Sequence, residues 1–179
     1  MSEAQNLVAL PSSNGTSNSE RDTIALHTGR ILQSCSLVEN ALFRMAASRT
    51  DIKGFADLER TKVPALRNVI SKIVSILDAE IAGKGTGFKN PKSLKDKLVE
   101  FDKAASRRSE LAHSEFIGVC EIDGIKVAML SNEGIEGSRW ESRRIQLWTF
   151  KELAEIDKLT HQLANSLRQV IQNQIDAIP

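Results

Sequence analysis

Tyrosine is missing from this chain, and six Phe and two Trp are its only aromatic residues. Surfaces that stack successive bases on rings, as RRM and OB folds do, are therefore not expected. Cys35 and Cys120 are the only cysteines, far apart and outside any CxxC pair. Zinc and redox motifs gain no support, and both residues read as reduced structural thiols. No apolar run approaches the roughly 18 to 20 residues that a membrane span needs. Met1-Ser2-Glu3 opens without the basic and apolar regions of a secretory signal. The expectation is a cytoplasmic protein with no membrane contact. An excess of one charge is lacking too, because 24 Lys and Arg face 23 Asp and Glu, a net of +1. Taken over the whole chain, that balance does not suggest a nucleic-acid binder.

What is present suits one domain with a tail: 179 residues, 41% apolar and 26% charged. Residues 1–22 read as a disordered N-terminal tail, since Pro11 and the Ser, Asn, Gly and Thr that follow cannot bury enough apolar surface to offset the entropy of ordering. Residues 23–179 read as a helical domain. In it Ile24, Thr28, Ile31, Cys35, Val38, Leu42 and Met45 form one stripe of a long first helix. A short helical turn is expected around Phe55 to Leu58. Pro64 suits a first turn, and Leu66, Val69, Ile70, Ile73, Ile76 and Leu77 continue a second helix until Gly83, Gly85 and Gly87. After Pro91 a third stripe runs through Leu94, Leu98, Phe101, Ala105, Arg108 and Ala112, with an arginine on the side that should face the core.

Beyond His113 the period changes from helical to alternating. Phe116 to Ile122 and Ile125 to Leu130 flank Asp123-Gly124, a pair suited to a type I′ hairpin turn. Arg144 to Trp148 can add a third strand, so a β excursion is expected over about 116–148. Thr149 and Glu152 match a capping box, and Trp148 and Leu153 a hydrophobic staple, at the start of a fourth helix. Its stripe reads Leu153, Ile156, Thr160, Leu163, Leu167, Val170 and Gln174. The fold class expected is mainly α: an antiparallel four-helix bundle with a small hairpin or three-stranded excursion between helices 3 and 4.

Of the three histidines, His27 and His161 stand one position off their stripes and read as surface or boundary residues. His113 ends the third helix, five residues after Arg108 and six after Arg107. A guanidinium on the core stripe needs a partner, because an unpaired internal charge costs several kcal/mol. Glu110 and Glu115 do not share its face at helical spacing, so an acid on another helix, a second subunit or an anionic ligand has to supply it. Five residues along a helix rotate about 140°. Arg108 and His113 therefore converge only if the helix ends near Ala112 or the arginine reaches back.

The run Arg107-Arg108-Ser109-Glu110-Leu111-Ala112-His113 resembles the R-x(4-6)-H motif of the HEPN superfamily, the helical domains named for higher eukaryotes and prokaryotes nucleotide-binding. The resemblance extends over about residues 24–175 and takes in a first helix with Ser36-Leu37-Val38-Glu39-Asn40-Ala41-Leu42, a motif helix ending in Leu-Ala-His, a short β excursion and a last helix opening in Thr-Phe-Lys-Glu-Leu. Many members carry Asn, Asp or His directly after the arginine and Gly directly after the histidine, where this chain has Ser109 and Ser114. Both Arg107 and Arg108 fit the spacing, and Arg108 is preferred because it lies on the stripe. The resemblance implies metal-independent cleavage of RNA phosphodiesters, without a cofactor, in a homodimer whose two motifs meet in one cleft. Arg108 and His113 would be catalytic and Arg107, Ser109 and Glu110 supporting. A toxin or defence setting, with an antitoxin or another protein partner, is also implied.

The residue types suit that chemistry. A histidine with a pKa near 6.5 can take the proton of a ribose 2′-hydroxyl or give one to the leaving 5′-oxygen, and an arginine can pair with the phosphate through two hydrogen bonds. Local charge agrees: residues 53–113 carry 13 Lys and Arg against 8 Asp and Glu, a net of +5 that the rest offsets with −4. Lys92, Lys95 and Lys103 are the candidate RNA contacts, through phosphate and with salt-dependent affinity. The alternatives are a non-catalytic HEPN-like module for dimerisation or for binding a ligand or partner, and a helical adaptor that binds through its β excursion.

Overall fold

The computed structural model describes residues 16–49, 66–84, 87–112, 114–133 and 143–177. Over these the protein is mainly helical, with one small antiparallel sheet. The order is α1 (Asn18–Ser48), α2 (Leu66–Ala79), α3 (Pro91–Ala112), β1 (Ser114–Ile122), β2 (Ile125–Glu133), β3 (Arg143–Thr149) and α4 (Phe150–Ile175).

Helix α1 starts inside the segment expected to be tail. The Ser17 side chain accepts from the Glu20 backbone N–H at 3.2 Å, and the Glu20 carboxylate accepts from the Ser17 N–H at 2.9 Å. This reciprocal capping satisfies two otherwise orphaned donors, so the polar residues 18–22 are the first helical turn. Lys126 of β2 adds an ion pair to the same carboxylate at 2.7 Å, tying the hairpin to the start of α1. The α1 stripe is buried as its spacing predicts, from Ile24 and Ile31 through Cys35, Val38 and Leu42 to Met45. At its far end Arg49 is buried with its guanidinium over the Phe88 ring, 4.9 Å from the centroid, and it donates to the Gly87 carbonyl.

Helix α2 widens into a π-helical turn over Glu80–Lys84, where Gly83 takes a φ of 80° that glycine adopts without steric cost. The turn expected around Phe55 to Leu58, and Pro64, lie outside the described residues. In α3, Leu94, Leu98 and Phe101 are fully buried. The hairpin forms as expected, with φ of 51° at Asp123 and 75° at Gly124, both positive as a type I′ turn requires. Its strands extend to 114–122 and 125–133, beyond the alternating segments, with a bulge between Phe116 and Gly118. The sheet order is β1-β2-β3.

The capping box at Thr149 and Glu152 is present, and Trp148 and Leu153 share one buried cluster. The buried row of α4 differs from the expected stripe: Asp157, Ala164 and Ile171 are buried, while Ile156, Leu163 and Val170 are only partly so. The reason is that α4 packs against both α1 and α3, so two neighbouring rows face partners.

Contacts between side chains give the helix directions. His27, Ser34 and Arg44 of α1 meet Asp157, His161 and Gln172 of α4 in rising order, so these two helices run in the same sense. The backbone N–H of Lys89, just before α3, and the side chain of Lys97 within it meet Gln174 and Ser166 in falling order, and α2 and α3 are likewise antiparallel through Asp78 with Lys95 and Arg67 with Asp102. Simple alternation would oppose α1 to α4. Instead α1, α2 and α4 run in one sense and α3 in the other, so the expected antiparallel alternation does not hold between α1 and α2 or between α1 and α4.

Two clusters make the core. The larger joins all four helices around Leu42, Ile73, Leu98, Phe101 and Leu167. The smaller joins Ile24, Ile31, Leu111 and Leu153 to Ala128, Leu130 and Trp148, so the sheet covers one end of the helices.

Leu98→Ala should cost about 2 to 5 kcal/mol in urea denaturation, the range for emptying a fully buried leucine site. The Lys126 ammonium, followed by the Ser17 backbone and hydroxyl, lowers the Glu20 pKa from 4.5 to about 2. A carboxyl lowered by folding stabilises the fold above its ordinary pKa and loses that effect as pH falls. Wild type should thus exceed Glu20→Gln in melting temperature at pH 6, with the gap closing between pH 4.5 and about 2. A gap that is constant across this range contradicts the assignment.

Candidate functional site

Helix α3 ends at Ala112 and β1 begins at Ser114, so position 113 is the junction between them. His113 itself lies outside the described residues. Arg107, Arg108, Ser109 and Glu110 fall on the last turns of α3 by backbone, and their side chains lie outside the description.

Leu111 is described, and it anchors this end of the helix. It is 4% exposed and packs with Ile24 and Ile31 of α1, Leu153 of α4 and the inner face of the sheet. At about 100° per residue, Leu111 is roughly 80° round from Phe101, so the buried row turns toward the sheet near the end of α3. Position 108 falls between these two rows by backbone. Position 107 lies about 40° beyond Leu111, on the other side.

The same end of the helices holds a polar seam that the sequence reading missed. Asp157 of α4 is 2% exposed. Its Oδ2 faces His27 Nδ1 at 2.9 Å and Arg30 Nε at 3.4 Å, both on α1. Its Oδ1 is buried and has no partner among the described residues, as is also true of Thr160 Oγ, one turn further on. His27 is half-buried, as a boundary residue is, and its ring meets the buried Asp157 carboxylate. His161 does lie at the surface, with Nδ1 3.5 Å from Ser34 Oγ and Nε2 3.0 Å from Asn165 Nδ2. The signal in the sequence was an acid four residues after Leu153; a stripe drawn through Ile156 passes it by.

The basic stretch is partly spent on internal pairs. Lys95 bonds Asp78, and Lys97 donates to Ser166 Oγ at 2.5 Å. Lys92 and Lys103 are exposed, on one outward line of α3 about three turns and 16 Å apart. Lys103 stands one turn before Arg107, beside the motif, while Lys92 is at the opposite end. Among the described residues no group of three or more His, Cys, Asp or Glu can hold a metal ion, and no helix is long and apolar enough to cross a membrane.

Two clefts lie elsewhere. One, of about 440 Å³, is lined by Lys89, Ser93 and Gln174 at the far end of the helices. The other, of about 530 Å³, lies between the starts of α1 and α4 and the hairpin turn. There the capping carboxylates Glu20 and Glu152 already take helix N–H groups that an anion would need. No protein-family model, curated protein or solved structure matches the chain.

Removing a donor that faces a buried carboxylate leaves that group less compensated. His27→Ala leaves Asp157 only the more distant Arg30 and should cost about 3 kcal/mol in urea denaturation. Arg30→Ala, at a half-exposed position, should cost under about 1 kcal/mol. The reverse order contradicts the assigned pairing.

Proposed function

We propose that the protein is a HEPN-like, metal-independent endoribonuclease acting on RNA phosphodiesters, with Arg108 and His113 in a cleft between two copies of the chain. The observation that carries this reading is the change from helix to strand between Ala112 and Ser114, beside the anchored Leu111. A histidine inside a helix would be turned about 140° from Arg108. At a helix end that constraint is lifted.

In this reading a histidine takes the proton of the 2′-hydroxyl as its oxygen bonds to phosphorus. The bond from phosphorus to the 5′-oxygen breaks, and that oxygen leaves with a proton from a second histidine. Arg108 pairs with the phosphate and stabilises the charge that grows on it. Arg107, Ser109 and Glu110 support the motif, and Lys103 extends the phosphate contacts along α3. Lys92 and Lys95 contribute less, Lys95 because it is drawn to Asp78.

A second reading, a non-catalytic module for dimerisation or partner binding, is favoured by the outer face of the sheet. Ile122 and Ile125 lie opposite each other there, and Ile145 and Leu147 lie opposite Ser131 and Met129. These four are 39% to 55% exposed, and large exposed apolar patches commonly mark interaction sites.

Arg108→Ala and His113→Ala should each lower cleavage of a fluorescent RNA in EDTA by about 100-fold or more while the protein stays dimeric in light scattering. Variants that cut at the wild-type rate refute the nuclease reading. If the wild type is a dimer that cuts no RNA, and Ile125→Lys with Leu147→Lys makes it monomeric, the second reading replaces the first.

A further inference from the structure

We propose that two copies of the chain pair along the outer edge of β3, joining their sheets into one continuous sheet. The contact does not rest on the nuclease reading, since such a pair forms whether or not RNA is cut. It also lies at the edge of the sheet rather than on its outer face.

The phase of the ladder decides which backbone groups are left over. A two-residue hairpin turn closes on a hydrogen-bonded pair, here Ile122 with Ile125. Backbone groups then alternate along β2: those of Val127 face β1, and those of Ala128 and Leu130 face β3. Their partners on β3, Trp148 and Gln146, face β2, so Ile145, Leu147 and Thr149 point their N–H and C=O groups off the sheet. Two contacts agree with this phase. Val119 N–H, off the ladder on β1, donates to Thr16 Oγ at 3.1 Å, and Thr149 N–H, off the ladder on β3, donates to the Glu152 carboxylate at 2.9 Å. At Ile145 and Leu147 these outward groups make no hydrogen bond with a described residue.

The two edges of the sheet, β1 and β3, are built differently. On β1 a bulge interrupts the strand between Phe116 and Gly118, and Thr16 covers Val119; both devices blunt an edge. Strand β3 pairs with β2 without a register break from Arg143 to Thr149 and has no proline. Ile145 and Leu147, 39% and 50% exposed, stand where the backbone is left over. A regular apolar edge of this kind is a template for another strand.

The strand that fits best is β3 itself. In an antiparallel pair about a two-fold axis at Gln146, Ile145 of each copy meets Leu147 of the other, and their outward N–H and C=O groups bond reciprocally. Arg144 falls opposite Trp148 and Arg143 opposite Thr149, so no arginine faces another. An axis at Arg144 sets like charges opposite each other, and one at Ile145 sets Arg143 against Leu147. An axis at Leu147 pairs Ile145 with Thr149, whose N–H Glu152 already holds. A single strand pair buries little surface, which puts this dimer at the weak end of protein interfaces.

Sedimentation velocity of the full chain at about 100 μM, a concentration suited to a weak contact, should show a dimer. Leu147→Pro removes an N–H that the fold itself does not use, so the melting temperature should stay close to wild type while dimerisation weakens about tenfold or more. Ile125→Lys, on the outer face and away from β3, should leave the dimer intact. Opposed residues of a non-hydrogen-bonded pair have Cα atoms about 4.5 Å apart, within disulfide range. Gln146→Cys in a Cys120→Ser background should therefore cross-link into a covalent dimer on mild oxidation, and it decides the matter if Leu147→Pro unfolds. A wild type that stays monomeric, which leaves the edge to a strand of another protein, overturns the proposal. So does a dimer that folded Leu147→Pro does not weaken, that Ile125→Lys alone dissociates, or that Gln146→Cys does not cross-link. If the dimer behaves as expected and no RNA is cut, the proposal holds and only the nuclease reading fails.

Discussion

Leu111 is the residue through which the two halves of the structure are joined. It ends a helix whose earlier turns pack into the main core, yet its side chain sits with Ile24 and Ile31 of α1, Leu153 of α4 and the sheet residues Ala128, Leu130 and Trp148. Burying such a cluster gains about 1.5 to 3 kcal/mol per large side chain, and this one also has a geometric effect. It stops α3 against the inner face of the sheet and starts β1 within two residues. The last turn of α3 therefore lies at the rim where helices and sheet meet, and the starts of α1 and α4 are brought to the same rim.

The polar seam follows from that arrangement. Because α1 and α4 leave the sheet end in the same sense, residues early in both helices become neighbours, and Asp157 can reach His27 and Arg30. A buried carboxylate is tolerated only where donors meet it. Its second oxygen and the hydroxyl of Thr160 are buried without partners among the described residues, so the seam is less completely satisfied than the apolar core beside it.

Much of this was legible in the chain. The stripes of α1 and α3, the Asp123-Gly124 turn and the Thr149 capping box depend on local spacing and backbone preference, which a sequence displays directly. What was not legible came from tertiary packing. Ser17 and Glu20 extend α1 into a segment whose composition reads as tail, because a reciprocal cap and the Lys126 ion pair hold it. Three positions of the buried row of α4 moved by one residue because the helix has two partners, and Asp157 is one of them. His27 could not be paired from sequence, since its partner stands 130 residues away. Charge behaved similarly. The basic segment was visible as a count, but Lys95 and Lys97 are taken up by Asp78 and Ser166, which leaves Lys92 in the first turn of α3 and Lys103 near its middle as the exposed lysines of that helix among the described residues.

The central claim is a particular chemistry, attack by the ribose 2′-oxygen with protein groups moving the protons, and that chemistry leaves a signature in its products. Mass spectrometry of RNA fragments formed by the wild-type protein in EDTA tests it most directly. The account predicts 2′,3′-cyclic phosphate on one side of each cut and a 5′-hydroxyl on the other. Fragments that end in 3′-hydroxyl and 5′-phosphate, or cleavage that appears only when a divalent metal is added, contradict it.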